Sequence, residues 1–112
     1  MVVDDGSRVL GLHYKNMKMQ KRNVQLDEYN VLDLYRDCRA LYEKCDVELP
    51  EYIDLWYSMP NSRTRCKLDR DDAWLDVIRI WGKEIGEIPI HITKDKTPLV
   101  YYYITQQLNP PG

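Results

Sequence analysis

Hydrophobic and polar residues alternate with a period of two at several places along the chain. Leu10, Leu12 and Tyr14 alternate with small or polar residues, which predicts a half-buried strand. Ile88, Ile90 and Ile92 repeat the pattern near the other end. The sequence predicts five strands, over residues 8–15, 23–27, 52–58, 64–68 and 87–93.

The first two predicted strands are expected to form a hairpin. Val24 and Leu26 alternate with polar neighbours, so the second strand can pair back on the first. The polar residues 16–20 are interpreted as the turn. This turn is longer than the two-residue ideal, which leaves the strand register open.

The period changes to that of a helix over residues 30–45. Asn30 is placed to accept a hydrogen bond from a first-turn amide, and Asp33 puts a negative charge at the positive end of the helix. Pro50 lies beyond the end. The apolar stripe of this helix consists of Leu34, Cys38, Leu41 and Cys45.

A second amphipathic helix is predicted from Asp69 to Trp81, with Asp69 as N-cap and Gly82 as the stop. Each helix has one apolar stripe and needs a sheet to pack on, so the fold class is α+β, a mixed sheet with both helices on one face. The predicted core consists of Leu12, Leu34, Cys38, Leu41, Leu55, Trp74, Val77, Ile78 and Ile90.

At 112 residues and 44% hydrophobic composition the chain is expected to form one core. We divide it into an N-terminal extension (1–7), the folded domain (8–93) and a C-terminal strand and tail (94–112). Neither a membrane-spanning run nor a secretory signal is found in the sequence, which predicts an intracellular protein, nuclear or cytoplasmic.

The three cysteines predict reduced thiols, because a disulfide framework in a chain of this size normally needs more cysteines and an even number. Cys38 and Cys45 are expected in the core. Cys66, on a short strand, is the one thiol that is not assigned to the core and can be exposed.

Charge is nearly balanced overall, at −2, but is unevenly distributed. The predicted basic patch consists of Lys15, Lys18, Lys21 and Arg22. The predicted acidic patch consists of Asp69, Asp71, Asp72 and Asp76. These acids fit a structural role better than a metal site, because Asp69 and Asp72 suit helix capping and Asp72 with Asp76, at i and i+4, equally suits a solvated face.

Candidate catalytic chemistry is sparse. His13 and His91 both fall on the solvent side of their predicted strands. No zinc-ligand spacing and no glycine-rich phosphate loop is found in the sequence. We therefore expect no enzyme activity, no metal and no cofactor.

Aromatic residues are candidates for an interaction surface, since interfaces favour Tyr and Trp. Tyr52 and Trp56 are either covered by the C-terminal tail, which we favour, or exposed for recognition. Residues 99–104 are of strand type, and we expect them to pair with a sheet edge in the same chain or in a partner. The predicted aromatic edge consists of Tyr52, Trp56, Tyr101 and Tyr103.

Three segments carry a resemblance to a known family of domains. They are IDLWYSMP at 53–60, CKLDRDD at 66–72, which opens a helix, and the alternating strand through Ile92. In this order, residues 8–93 resemble the Phox-and-Bem-one interaction domain, a ubiquitin-like β-grasp. They are most similar to the form at the N-terminus of plant Mutator-type transposases and of proteins derived from them.

The resemblance implies front-to-back pairing, in which an acidic cluster on one domain grips a strand-one lysine on the next. Lys15 matches that lysine approximately. The acids available here are Asp69, Asp71 and Asp72, without the family's Asp-x-Glu-Gly-Asp-like core. The terminal Pro-Pro-Gly differs from the Gly-Gly tail of a conjugated modifier.

The leading hypothesis is a non-catalytic protein–protein interaction module, a scaffold that forms homo- or hetero-oligomers with related domains. The alternative is a nucleic-acid-associated domain that uses the basic hairpin. The alternative is weaker, because the sequence shows no basic stripe beyond the hairpin. Membrane association is not expected.

Overall fold

The computed structural model describes residues 7–94. Along the chain lie strands β1 and β2, a short 3₁₀ turn, helix α1, strands β3 and β4, helix α2 and strand β5. Their bounds are β1 Ser7–Tyr14, β2 Met17–Gln25, α1 Val31–Lys44, β3 Ile53–Ser58, β4 Arg65–Lys67, α2 Asp71–Trp81 and β5 Ile88–Lys94. Among the described residues no helix is long and apolar enough to span a membrane.

The five strands form one mixed sheet in the order β2-β1-β5-β3-β4. The first strand, β1, pairs in parallel with the last, β5, and the other three pairs are antiparallel. The prediction of an α+β fold, with a mixed sheet and two helices, is confirmed.

One face of the sheet is buried against both helices. Leu12, Leu55 and Ile90, on three neighbouring strands, are fully buried in the same apolar cluster as Leu34 of α1 and Val77 of α2. The period-two alternation of β1, β3 and β5 therefore points one apolar set at the helices and leaves the other set on the opposite face.

Buried aromatic residues join the helices to the sheet through their polar atoms. The Tyr42 hydroxyl of α1 donates to the Leu12 carbonyl (2.7 Å), and the Trp81 Nε1 of α2 donates to the Ser58 carbonyl (2.9 Å). Tyr and Trp can therefore fill this core without leaving a buried donor unpaired.

The hairpin differs from its prediction. The second strand begins at Met17 rather than at residue 23, so the stretch assigned to a turn is mostly strand. Only Lys15 and Asn16 separate β1 from β2, and Lys15 has a φ of 54°. A two-residue turn with positive φ allows the polar residues that follow it to pair as a strand. Their polarity alone suggested a turn instead.

The helix ends are partly as predicted. Asn30 caps α1, accepting from the Asp33 amide at 2.9 Å while Asp33 accepts from the Asn30 amide at 3.2 Å. The prediction of Asp69 as N-cap of α2 is wrong, since the N-cap is Arg70 and makes no side-chain capping bond. Arginine has no acceptor oxygen, so it cannot make one.

Three residues of the predicted core are less buried than expected. Leu41 and Ile78 are only partly buried at its margin. Cys45 is exposed, because it is the C-cap of α1, beyond the last helical turn. Cys38 is buried as predicted, and Cys66 is half-buried.

Candidate functional site

The face of the sheet opposite the helices, called here the open face, carries polar side chains from all five strands. Because both helices pack on the other face, neither of them covers it. Its side chains are mostly half-buried rather than exposed, since they lie against one another. This surface brings together polar and aromatic side chains from segments far apart in the chain.

A single cross-strand line runs across the open face from one sheet edge to the other. Lys18 of β2 lies opposite His13 of β1, and His13 lies opposite His91 of β5. His91 lies opposite Trp56 of β3, and Trp56 lies opposite Lys67 of β4. We call these five residues the open-face row. A lysine stands at each end, and three rings occupy the middle.

The two histidines stack on each other, with ring centroids 5.1 Å apart and 23° between the ring planes. Partial burial lowers the pKa of His13, and the Lys18 charge lowers it further against the opposing effect of Glu87. Burial, followed by the charges of Arg65 and His13, lowers the pKa of His91 to about 4. Both rings are therefore neutral at pH 7.

A serine contacts one of these rings: Ser58 Oγ lies 2.7 Å from His91 Nε2. A hydroxyl next to a neutral imidazole is a nucleophile–base pair in composition. Within residues 7–94, however, no carboxylate hydrogen-bonds the other nitrogen of His91 to orient the ring as in a triad. The contact positions the ring in the row.

Trp56 is the accessible tryptophan among the three in the chain, since Trp74 and Trp81 are only 2% and 7% exposed. Its Nε1 donates to Thr93 Oγ1 at 2.9 Å. Lys67 Nζ lies 5.8 Å from the Trp56 ring centroid and 3.4 Å from the Asp54 carboxylate. The indole is thus fixed by one hydrogen bond, with one cation near its ring face.

The other end of the row is organised by Glu87 lying over Gly11. A Cβ on Gly11 would come within 1.8 Å of the Glu87 carboxylate. That carboxylate accepts from Lys18 (2.6 Å) and Gln20 (2.8 Å). Burial alone would raise the pKa of Glu87, but these two hydrogen bonds and the Lys18 charge outweigh it and lower the pKa.

Cations outnumber acids on the open face. Arg65 projects onto it beside Ser58, its cross-strand partner, and Arg22 reaches Gln20 Oε1 at 3.2 Å. In the described part of the chain neither arginine has an acid within 4.0 Å. With Lys18 and Lys67 against Asp54 and Glu87, the described side chains of this face have a net charge of +2.

The structure divides the predicted basic patch. Lys18 and Arg22 lie on the open face, whereas Lys21 points to the helix side, 3.9 Å from the Asp37 carboxylate of α1. Lys15 is exposed in the hairpin turn, with Nζ 5.4 Å from the Tyr14 ring centroid. The four cations therefore do not form one surface.

The predicted acidic patch lies at the start of α2 and is partly neutralised. Asp69 and Asp72 are 3.9 Å and 3.3 Å from the guanidinium of Arg70, and Asp76 pairs with Arg79 one turn on. Asp71 is the first residue of the helix.

The predicted aromatic edge is described only in part. Tyr52 is 56% exposed just before β3, and Trp56 belongs to the open-face row. Tyr101 and Tyr103 lie outside the described residues, as does the predicted strand 99–104.

Sequence reasoning placed both histidines on the solvent side but missed their pairing with each other and with Ser58. It also missed Arg65 and Lys67 as members of the same surface. Alternation within each strand could assign a face, but nothing local in the sequence shows that β1 lies beside β5.

Two further observations concern a cleft at the end of the sheet and possible metal ligands. A cleft at the end of the sheet is crossed by Arg8, which donates to the Trp81 carbonyl (2.6 Å) and the Gly86 carbonyl (3.1 Å), so its guanidinium ties the α2–β5 loop to β1. Among residues 7–94 no three potential ligands are grouped to hold a metal ion.

Comparison with protein-family models gives no match, and comparison with curated proteins gives none either.

Proposed function

We propose that residues 8–93 form a ubiquitin-like β-grasp of the Phox-and-Bem-one type, acting as a non-catalytic protein-interaction module. The strand order β2-β1-β5-β3-β4, with the first and last strands parallel at the centre and a helix after each antiparallel pair, supports this assignment. Interaction domains of this kind work through surfaces rather than through a reacting site.

The observation that carries the proposal is the separation of opposite charges across the domain. Lys15 is exposed at the β1–β2 edge, where no described acid pairs with it. Asp69 and Asp72 are exposed just after β4, the strand at the opposite edge. Four strand spacings, about 19 Å, separate these edges. Within one molecule the two groups are too far apart to pair.

The partner is therefore a second copy or a related domain, which presents its α2 acids to the Lys15 turn. Such a contact is heterologous and leaves one free surface at each end of the assembly. Arg70 reduces the acidic charge but does not cancel it, because residues 69–72 contain three acids and one base. The contact should weaken as salt screens it.

Self-association can be tested by size-exclusion chromatography with light scattering on Lys15→Glu and Asp72→Lys. Each variant alone should be monomeric under conditions in which the parent domain associates. An equimolar mixture should form a one-to-one dimer, since each variant retains one intact surface. We expect each change to weaken association at least about tenfold.

Lys44→Glu serves as the matched control, because Lys44 is an exposed cation in the last turn of α1 and has no described ion pair. It should leave association unchanged. A parent domain that stays monomeric at low salt, or variants that associate as well as the parent, would exclude the front-to-back contact.

A further inference from the structure

The open-face row has the dimensions of an extended binding surface. Its five residues sit on five adjacent strands, so the row is about 19 Å long. Rings lie at its centre and cations at both ends. Arg65 and Arg22 extend the positive charge along the two sheet edges, on β4 and β2.

Two of these cations are free to meet an anion without disturbing the fold. In residues 7–94, Arg22 and Arg65 have no acid partner, whereas Lys18 and Lys67 are paired with Glu87 and Asp54. An incoming anion could therefore contact either arginine without leaving an acid of the domain unpaired.

The centre of the row presents rings in place of further charges. Trp56 is half-buried, with Lys67 beside it, and both histidines are neutral at pH 7. An acidic peptide would be satisfied by cations alone. Rings between cations match a ligand that alternates flat aromatic groups with negative charges.

We propose that the open face binds single-stranded nucleic acid, with unpaired bases stacking on Trp56 and the histidine pair while phosphates contact Arg22 and Arg65. A duplex fits less well, because a row of about 19 Å is wider than the major groove, about 12 Å, and cannot reach paired base edges. This surface goes beyond the proposed function and uses different residues from the Lys15–Asp72 contact.

Trp56 provides the signal for a direct test, because Trp74 and Trp81 are almost fully buried. Titration with oligothymidine or oligouridine of about 12 nucleotides at low salt should quench tryptophan fluorescence. Trp56→Leu should remove the quenching and weaken binding of the same fluorescently labelled oligonucleotide about tenfold, measured by anisotropy. Thermal melting should show that this variant remains folded.

The arginines are tested separately, since their replacement breaks no described ion pair. Arg65→Glu should weaken binding about tenfold, and Lys44→Glu, the same charge change on the helix side, should leave it unchanged. Replacing both Arg22 and Arg65 should reduce the slope of log affinity against log salt by about 1.4, at roughly 0.7 per phosphate contact on a single strand.

Three results would overturn the proposal. The first is no oligonucleotide binding by the folded parent domain at low salt. The second is binding that survives both arginine replacements. The third is tighter binding of polyglutamate than of oligonucleotide, with loss on Arg65→Glu, which would make the open face a site for an acidic protein. None of these outcomes depends on whether the domain self-associates through Lys15.

Discussion

The two faces of the sheet share one alternating pattern but are stabilised by different interactions. On the helix side, Leu12, Leu55 and Ile90 are completely buried, and their contribution comes from removing apolar area from water. On the open side, Trp56 and His91 donate or accept one hydrogen bond each, with Thr93 and Ser58, and each ring also contacts a neighbour on the row. Removing side-chain volume from the buried face leaves a cavity and lowers stability. On the solvated face, a contact between two side chains can be replaced by a contact to a ligand.

The largest expected effect lies on the helix side. Leu34→Ala removes fully buried methyl groups and leaves a cavity between α1 and the sheet. We expect it to lower the free energy of unfolding by about 2–5 kcal/mol, measured by urea denaturation.

Leu41→Ala is the matched control, since it deletes the same atoms at a partly buried position of the same helix. Its cost should be smaller, about 1–2 kcal/mol. If the two variants lose the same free energy of unfolding, Leu41 belongs to the buried core as fully as Leu34 does.

A smaller effect is expected where Glu87 lies over the open face. Gly11→Ala places a Cβ where the Glu87 carboxylate sits, so that carboxylate must leave Lys18 and Gln20. Because a flexible side chain moves rather than the backbone, the cost should be only about 1 kcal/mol by urea denaturation.

A double-mutant cycle tests the cause. In a Glu87→Ala background the obstacle is absent, so Gly11→Ala should be neutral or slightly stabilising, because alanine loses less backbone entropy than glycine in a strand. If Gly11→Ala costs the same in both backgrounds, the clash with Glu87 is not what makes glycine necessary there.

The smallest effect concerns protons on the histidine pair. The folded pKa of His91 is about 4, below its ordinary value of 6.5, so the unfolded chain binds the proton more readily. The contribution of neutral His91 to stability is therefore complete above pH 6.5 and is lost progressively as pH falls towards 4. The decline should be shallow, because the His91 ring is only half-buried and solvent screens its charge.

Urea denaturation of the parent and of His91→Gln across this pH range measures the decline. Glutamine keeps a polar group beside Ser58 but does not titrate, so the variant should show a flatter dependence on pH. An identical pH dependence in both proteins would assign the decline to other groups.

Local pattern was sufficient for much of the architecture. Period-two alternation predicted β1, β3 and β5 and assigned His13 and His91 to the solvent side. Asn30 was predicted as the N-cap of α1, because its side chain needs only the next turn of backbone. The errors, at the start of β2 and at Asp69, concern polar residues that suit turns, strands and caps alike.

The sequence by itself determined which side chains share a face within each helix or strand, since that depends only on residue period. Tertiary structure decided which strands are neighbours. The parallel pairing of β1 with β5 joins His13 to His91, and the pairings of β3 with β5 and β4 add Trp56 and Lys67. These contacts join segments up to about eighty residues apart, and pairing at such separation is selected by burial of the whole sheet rather than by any local signal.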